Sequence, residues 1–387
     1  MPGTPPYLYV TTSEDYRNFL SELAKSKVIG LDLEFDRNRY GYGFTICLIQ
    51  CYIESICYIV DPLLLEDPLD DFYSILESDH NEIICFSFSE DYKLLKLSGC
   101  SPTNVCDLNI ACSLLNYPIK SLVNVLLEHL GIETSKASQK SNWLARPLSN
   151  KQLQYAAEDV LYLNDLYQLL KEQMILQNRY EWFLSENEWH YSLPVDHEDL
   201  TVKVKNKDLL GLNEHQAHIY RGLFEWRDEM AKDRNKPPYQ MVDNHYLKLL
   251  VLNPHKIKDW LNEHAIHHSL KTNEVQQWVN VLMDNLQKES RDLGLSETSD
   301  ALQPMSQDEY QRHMRDKSAI KEAKNTVFGT LKDRLIKAYG RHVQSYLLSN
   351  RVVEEIVVGK KNIPPYRFQV FWDLVGVNFD NYLPKHQ

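Results

Sequence analysis

The first half of the chain alternates short apolar runs with longer amphipathic segments. Runs rich in β-branched and aromatic residues are typical of strands and lie at residues 7–10, 28–35, 44–51, 56–60 and 83–86. Apolar residues at helical spacing predict helices at 13–24, 69–76, 91–97, 107–115, 122–130 and 151–173. This order of elements predicts an α/β domain over residues 1–195, built on a mixed sheet.

The second half of the chain has a different pattern. The strand signal fades after Pro194, and amphipathic helical patterns dominate from Glu214 onward. The charged stretch 195–208 predicts a linker, and the polar stretch 296–316 predicts a second one. We therefore expect two all-α domains, at residues 210–295 and 316–387, after the α/β domain.

Composition describes the class of protein. The chain has 387 residues, of which 43% are hydrophobic and 25% charged, and these values are typical of a globular protein with more than one core. No apolar run approaches the length of a membrane helix, and no basic segment precedes an apolar one at the N-terminus. All seven cysteines lie in the first third without a C-x-x-C pair, which indicates reduced, buried thiols. We expect a cytoplasmic protein that does not contact a membrane.

The charge is unevenly distributed along the chain. The formal net charge is −12, but residues 1–200 carry −16 and residues 201–387 carry +4. An acidic first part and a mildly basic second part suit a metal-dependent phosphate enzyme joined to a substrate-binding part. Ordinary surface variation explains the same numbers, so both interpretations stay open here.

Two carboxylates, Asp32 and Glu34, stand two residues apart in the predicted strand 28–35. Strand geometry places both on one face, and the apolar residues between and around them take the other face. Like charges at the edge of a hydrophobic layer cost energy unless a cation compensates them, and Mg²⁺ is often held by one or two carboxylates. Taken alone, the pattern is more often found on a solvated sheet face.

A third acidic residue, Asp91, follows the predicted strand 83–86. Ser89 is placed to cap a helix directly after that strand, so Asp91 falls in the first helical turn at the edge of the sheet. Acidic residues are common in a first turn because they interact favourably with the helix dipole, which is the simpler explanation of Asp91 by itself.

The helix that begins after residue 149 carries the last candidate residues. Ser149 and Gln152 have the spacing of a capping box. Tyr155 and Asp159 follow, four residues apart, on the flank of the apolar stripe, where both would line a groove between helix and sheet. A packed tyrosine beside a surface aspartate is the simpler interpretation of this pair taken singly.

Together these residues are more specific than any one of them. The order D-x-E at 32–34, S-E-D at 89–91 and Y-x-x-x-D at 155–159 resembles the tyrosine-bearing branch of the DEDD superfamily of 3′–5′ exonucleases. Within it, the text N-W-L-A-R-P-L at 142–148, followed by Q-Y-A-A-E-D-V-L-Y-L at 154–163, is similar to the ribonuclease D family.

The resemblance implies a ribonuclease H-like mixed sheet flanked by helices, followed by two HRDC-like helical domains. Residues 216–235 are similar to the HRDC module of that family, and the segment from about Asp316 looks like a second, divergent one.

The resemblance also implies a chemistry. Asp32, Glu34, Asp91 and Asp159 would hold two divalent cations, Mg²⁺ or Mn²⁺, and Tyr155 would orient the attacking water. The expected activity is removal of nucleotides from single-stranded 3′ ends of RNA, including structured precursors such as tRNA, by a monomer. A 3′–5′ exonuclease acting on single-stranded DNA in repair and a non-catalytic nucleic-acid-binding scaffold are the alternatives.

Two basic segments are candidates for RNA contact. Residues 221–236 interleave basic and acidic side chains, which is more typical of a solvated, salt-bridged face. Residues 321–361 carry nine basic and four acidic side chains, and this local excess makes them the stronger candidate.

Overall fold

The computed structural model describes residues 7–118, 121–134, 138–195, 203–302, 307–357 and 363–376. Contacts divide the chain into two compact units. The first unit contains residues 1–34, 46–195 and 307–387, and the second contains residues 35–45 and 196–306. No helix of the described residues is long and apolar enough to cross a membrane.

The first unit is built on one mixed six-stranded sheet. Its strands are β1 (Tyr7–Val10), β2 (Val28–Arg37), β3 (Phe44–Ile53), β4 (Ile56–Val60), β5 (Glu82–Cys85) and β6 (Val105–Asp107). They lie in the order β1-β4-β3-β2-β5-β6. The pairs β1/β4, β2/β5 and β5/β6 are parallel, and β3/β4 is antiparallel. The mixed sheet predicted from the sequence is confirmed, and β6 is a short strand that the pattern did not reveal.

The register of β2 explains why its second half forms part of a site. Gly30 of β2 pairs with Ile84 of β5, which ends one residue later, so β2 continues past the end of its parallel neighbour. Ligand sites in α/β folds form at this carboxyl edge, where the chain leaves the shorter strand. Asp32 and Glu34 occupy the projecting part of β2.

Among the residues described before position 195, eight helices accompany the sheet. They are α1 (Ser13–Leu23), α2 (Asp70–Leu76), α3 (Ser89–Leu97), α4 (Leu108–Leu114), α5 (Leu122–Leu130), α6 (Asn150–Leu161), α7 (Leu163–Leu176) and α8 (Tyr180–Ser192). The predicted capping box is present, because Ser149 Oγ accepts the Gln152 N–H while Gln152 Oε1 accepts the Ser149 N–H. The single helix predicted at 151–173 is wrong. The backbone leaves helical geometry at Tyr162, with φ −110° and ψ 5°, and divides it into α6 and α7.

Gly30 allows α6 to lie close to the sheet. A Cβ atom at this position would lie 3.2 Å from Cβ of Tyr52 on β3 and 3.4 Å from the carbonyl oxygen of Val160 on α6. Contacts at 3.2 Å are tighter than ordinary van der Waals distances, so a side chain here would force strand and helix apart. The absence of a side chain therefore sets the distance between β2 and α6.

The second unit is helical. Its helices are α9 (Asn206–Leu209), α10 (Glu214–Asp233), α11 (Pro238–Met241), α12 (Asn244–Leu252) and α13 (Asn273–Asp292), with 3₁₀ helices at Pro254–Asn262 and His268–Leu270. Trp260 is fully buried at the centre of the core, and its Nε1–H donates to the carbonyl oxygen of Leu270 at 2.7 Å. The prediction of a helical region after the sheet is confirmed. Its identification as an HRDC module stays a prediction.

The structure describes only part of each of the two predicted linkers. Residues 196–202 and 303–306 lie outside the described residues. The second predicted linker, 296–316, overlaps helix α14, which begins at Gln307. Polar composition indicated a linker there because α14 exposes almost its whole circumference, and a helix of that kind has no apolar stripe to reveal it.

The C-terminal helices complete the first unit. They are α14 (Gln307–Asn325), α15 (Val327–Tyr339), α16 (Arg341–Leu347), α17 (Asn350–Val357) and α18 (Pro365–Val375). Buried residues of these helices belong to the same hydrophobic core as those of the sheet and of α4, α7 and α8. The sequence predicts a separate domain at 316–387, whereas the described part of that segment is packed within the first unit.

A buried ion pair joins α8 to α18. The guanidinium of Arg367 donates from Nε and Nη2 to the two carboxylate oxygens of Glu186, both at 2.7 Å. The hydroxyls of Tyr366 and Tyr346 also donate to this carboxylate, at 2.6 and 3.1 Å. Glu186 is fully buried and Arg367 is 4% exposed. Trp182 packs against Tyr366 in the same interface, with ring centroids 5.4 Å apart.

Candidate active site

Four carboxylates meet at the carboxyl edge of the sheet. Asp32 and Glu34 lie on β2, Asp91 lies in the first turn of α3, directly after β5, and Asp159 lies near the end of α6. Each interacts electrostatically with one or more of the others. The structure thus brings together residues that are up to 127 positions apart in the sequence.

Burial and mutual repulsion raise the pKa of these carboxyls. Burial raises the pKa of Asp32 well above its ordinary value, and the three other carboxylates raise it further. Burial, followed by the charges of Asp159 and Asp91, raises the pKa of Glu34 to about 9. Burial is also the main cause that raises the pKa of Asp91 and of Asp159 to about 7. Such a cluster favours either protons or a bound cation.

Tyr155 lies one helical turn before Asp159 on α6. Its hydroxyl donates a hydrogen bond to the Asp159 carboxylate, and this bond lowers the pKa of Asp159 against the effect of burial. Burial, followed by the charge of Asp159, raises the pKa of Tyr155 above its ordinary value of 10.0. Tyr155 is therefore a neutral phenol at physiological pH, able to orient a polar neighbour but unsuited to act as a base.

A cavity opens beside the carboxylates. Its volume is about 280 Å³, and Asp32, Asp159 and Tyr155 line it together with Ser87 and Ser121. The Ser121 Oγ is buried without a hydrogen-bond partner. Glu34 and Asp91 do not line this cavity, although both interact electrostatically with carboxylates that do.

The donor set fits a hard divalent cation. Carboxylate oxygens are the ligands that Mg²⁺ and Mn²⁺ prefer, and a cation would relieve the repulsion that raises the pKa values. Among the described residues, no three His, Cys, Asp or Glu side chains converge closely enough to form a metal cluster as they stand. The residues that would hold such an ion are Asp32, Glu34, Asp91 and Asp159, which interact electrostatically with one another.

Asp107, at the end of β6, holds the turn that positions Asp91. Its carboxylate accepts the backbone N–H groups of Ser87 at 2.8 Å and Phe88 at 3.1 Å, and the hydroxyl of Tyr191 at 2.9 Å. Ser87 has φ 59°, a left-handed conformation that these bonds stabilise. The turn between β5 and α3 is thus fixed from the neighbouring strand.

The predicted cap at Ser89 is wrong. Ser89 is the first residue of α3, and its Oγ lies 2.9 Å from Nε2 of His190 on α8. The residue before the helix, Phe88, makes no side-chain cap, and its N–H is satisfied by Asp107 instead. Asp107 therefore holds the two residues that precede α3 and does not cap the first turn of the helix. The position predicted for Asp91, in the first turn, is confirmed.

Arg146 holds the segment 142–148, with the sequence N-W-L-A-R-P-L, in place. Its guanidinium donates from Nε to Oδ2 of Asp61 at 2.6 Å and from Nη2 to Oδ1 at 2.7 Å. It also donates to the carbonyl oxygens of Trp143 and Cys47, at 2.6 and 2.8 Å. These bonds fasten the segment before α6 to β3 and to the residue that follows β4.

Trp143 is the residue that this fastening places beside the site. It is 3% exposed, and its ring centroid lies 6.1 Å from that of Tyr155. The contact limits the positions open to the Tyr155 ring. Sequence reasoning assigned no role to Asp107, Arg146 or Trp143, because their partners are remote in sequence. For Trp143 and Arg146, the available signal was the sequence N-W-L-A-R-P-L at residues 142–148.

Comparison with known families agrees with this geometry. Residues 7–175 match the family model described as a 3′–5′ exonuclease. The chain is 31% identical over 248 residues to a ribonuclease D of Shewanella sp. strain ANA-3, and the alignment covers 63% of this chain and 63% of that protein. The chain thus spans slightly under two thirds of that relative's length.

Solved structures share the fold. The catalytic core of RRP6 from Trypanosoma brucei superposes with a TM-score of 0.63 at 22% identity, over 75% of this chain and 82% of that one. Escherichia coli RNase D, an exoribonuclease involved in structured RNA processing, superposes with a TM-score of 0.64 at 20% identity, over 97% of this chain and 98% of that one. The likeness extends through the helical regions as well as the sheet.

The resemblance found from the order of four carboxylates and a tyrosine is therefore confirmed by sequence and by fold. The chain is therefore similar to the 3′–5′ exonucleases over residues 7–175, and among them to ribonuclease D.

Proposed function

We propose that this chain is a metal-dependent 3′–5′ exoribonuclease that shortens single-stranded 3′ ends of RNA. The observation that carries the proposal is the cluster of Asp32, Glu34, Asp91 and Asp159 at one edge of the sheet, with Tyr155 beside it. Exonucleases of this superfamily generally use divalent metal ions. Two such ions, Mg²⁺ or Mn²⁺, would supply charge stabilisation at the phosphorus and lower the pKa of the attacking water.

The protein groups have distinct roles in this scheme. The four carboxylates would hold the ions, and the positive charge would favour their deprotonated form. Tyr155 stays protonated, donates its hydrogen bond to Asp159 and offers its oxygen to the attacking water, which orients that water toward the phosphate. Trp143 packs against Tyr155 and keeps its ring in place.

The preferred substrates would be 3′ ends of structured precursors, tRNA precursors among them. The involvement of Escherichia coli RNase D in structured RNA processing supports this choice. The helical second unit would act as an HRDC-like module that binds the body of the RNA. Single-stranded DNA is the competing substrate, because the same carboxylate site would cleave either polymer.

One assay tests the proposal. End-labelled single-stranded RNA, single-stranded DNA and a 3′-extended tRNA are incubated with Mg²⁺, with Mn²⁺ or with EDTA. We expect stepwise loss from the 3′ end of the RNA substrates with metal, near-complete loss of activity in Asp32→Asn, and slower cleavage with undiminished metal binding in Tyr155→Phe. Full activity of Asp32→Asn would refute the site, and cleavage of DNA in preference to RNA would refute the substrate.

A further inference from the structure

The second unit contains a small basic pocket that is separate from the cavity beside the carboxylates. Its volume is about 210 Å³. Four cationic side chains line it, those of Lys203, Lys205, Lys207 and Arg227, against one carboxylate, that of Asp208. The pocket lies entirely among residues of the second unit.

Arg227 is a buried cation whose hydrogen bonds go to neutral groups, and the carboxylates of Asp228, Asp208 and Asp243 attract it electrostatically. It is 1% exposed, and its guanidinium lies over the ring of Phe224, 4.5 Å from the centroid. Its hydrogen bonds go to the carbonyl oxygen of Val242, at 2.9 Å, and to the side-chain oxygen of Asn244. Burial lowers the pKa of Arg227, which reflects the cost of keeping the charge away from water.

Lys203 and Lys205 lie in the irregular segment just before α9, and Lys207 lies in the first turn of that helix. All three are exposed, and the residues between them are Val204 and Asn206. All three side chains line the pocket together with the buried guanidinium, and these three lysines form the lysine row. Asp208 offsets one of these charges, and the excess that remains is positive.

The wall of the pocket also offers an aromatic surface. Tyr239 lines it and is 53% exposed. The Tyr239 hydroxyl donates to the carbonyl oxygen of Arg39 at 3.2 Å, and Gln240 donates to the same oxygen at 3.3 Å. The ring is thus held by its hydroxyl while much of its area stays open, which is the arrangement found where a base or ribose packs on an aromatic side chain.

We propose that this pocket binds a backbone phosphate of the RNA substrate. The inference rests on the proposed function and adds a second contact point for the same polymer, remote in sequence from the carboxylates. A cavity of 210 Å³ has room for about seven water molecules, at ~30 Å³ each, which suffices for a phosphodiester group and part of its ribose. Lysines at the rim and an arginine at the base are the side chains that position nucleic-acid backbones.

The test compares two triple variants of equal charge change. Lys203→Ala/Lys205→Ala/Lys207→Ala removes the lysine row. Lys258→Ala/Lys271→Ala/Lys288→Ala removes three lysines of the same unit that do not line the pocket. Arg227 is left intact because its loss would damage the helical core. Binding of a fluorescein-labelled single-stranded oligoadenylate is measured in EDTA over a range of salt concentrations.

Each phosphate contact contributes about 0.7 to the slope of log K against log salt for a single strand. We expect the pocket variant to lose about 2 from this slope and the control variant to keep the wild-type slope. Equal slopes for the two variants would overturn the proposal. Turnover of a dinucleotide, too short to span two sites, should be the same in all three proteins.

Two further outcomes separate the possible errors. If the wild type binds no RNA, the proposed function itself fails, whatever the pocket does. If adenosine monophosphate binds the wild type and not the pocket variant, while both have the same RNA salt slope, the pocket holds a free nucleotide and the backbone assignment is overturned.

Discussion

Replacing Asp159 with asparagine should make the metal-free protein more stable while it abolishes activity. Asp159 shares the edge of the sheet with Asp32, Glu34 and Asp91, and burial is the main cause that raises its pKa from 3.8 to about 7. When the pKa of a carboxyl is higher in the folded than in the unfolded protein, the carboxyl costs no folding stability at a pH where it is protonated in both states. The penalty develops as the pH rises from about 4 to about 7 and is complete above that range.

The size of the effect follows from the same values. A pKa raised from 3.8 to about 7 corresponds to a cost of about 4 kcal/mol at high pH. Asp159 is only partly buried, and solvent screens part of this cost, so we expect the free energy of unfolding to rise by about 1–2 kcal/mol in Asp159→Asn at pH 8. At pH 4 the difference should vanish.

Urea unfolding in EDTA, followed by circular dichroism at both pH values, measures this difference. Asp165→Asn provides a matched control, because Asp165 is also an aspartate in the first unit and is not part of the carboxylate cluster. A loss of stability in Asp159→Asn at pH 8, or an equal gain at both pH values, would refute the reasoning. The exonuclease assay on the same preparation should show near-complete loss of hydrolysis.

Three other substitutions test the parts that support the site. Arg367→Met leaves the carboxylate of Glu186 buried without its cation, so the free energy of unfolding measured in urea should fall by about 3–5 kcal/mol. Adding Glu186→Gln to the same chain should partly restore it. Asp107→Asn weakens the turn that carries Asp91 and should reduce kcat or the affinity for Mg²⁺ by about 10–100-fold; unchanged values of both would contradict the role of the turn. Gly30→Val places side-chain atoms near the Val160 carbonyl oxygen of α6, which is 3.4 Å from the Cβ position. Hydrolysis should fall by about 100-fold while the circular dichroism spectrum stays native. Wild-type activity would contradict the argument that Gly30 sets the spacing of β2 and α6.

Local patterns predicted the elements whose causes are local. Alternating and β-branched runs located five of the six strands, and the capping box at Ser149 located the start of α6. The break at Tyr162 escaped prediction because both sides of it have helical periodicity. Strand β6 is only three residues long and too short for a pattern to emerge.

The residues of the candidate site were likewise only partly predictable from the sequence. The order of acidic residues predicted which carboxylates meet, because a family resemblance carries long-range information that periodicity lacks. Nothing local marked Asp107 as the support of the β5–α3 turn, since its bonds to Ser87 and Phe88 join parts of the chain about 20 residues apart. The basic pocket escaped prediction as well, because Lys203, Lys205 and Lys207 lie in a segment whose composition indicated a linker.

The pair of Glu186 and Arg367 also bears on how the chain reaches its native state during synthesis. These residues are 181 positions apart, and the whole of residues 196–306 is made between them. At about 5–20 residues per second, roughly 10 to 40 s pass before Arg367 follows Glu186 out of the ribosome. During that interval Trp182 and the carboxylate of Glu186 lack the partners that α15, α16 and α18 supply. The nascent nuclease therefore depends on delayed closure by its last helices, and it is during this delay that we expect chaperones to engage it.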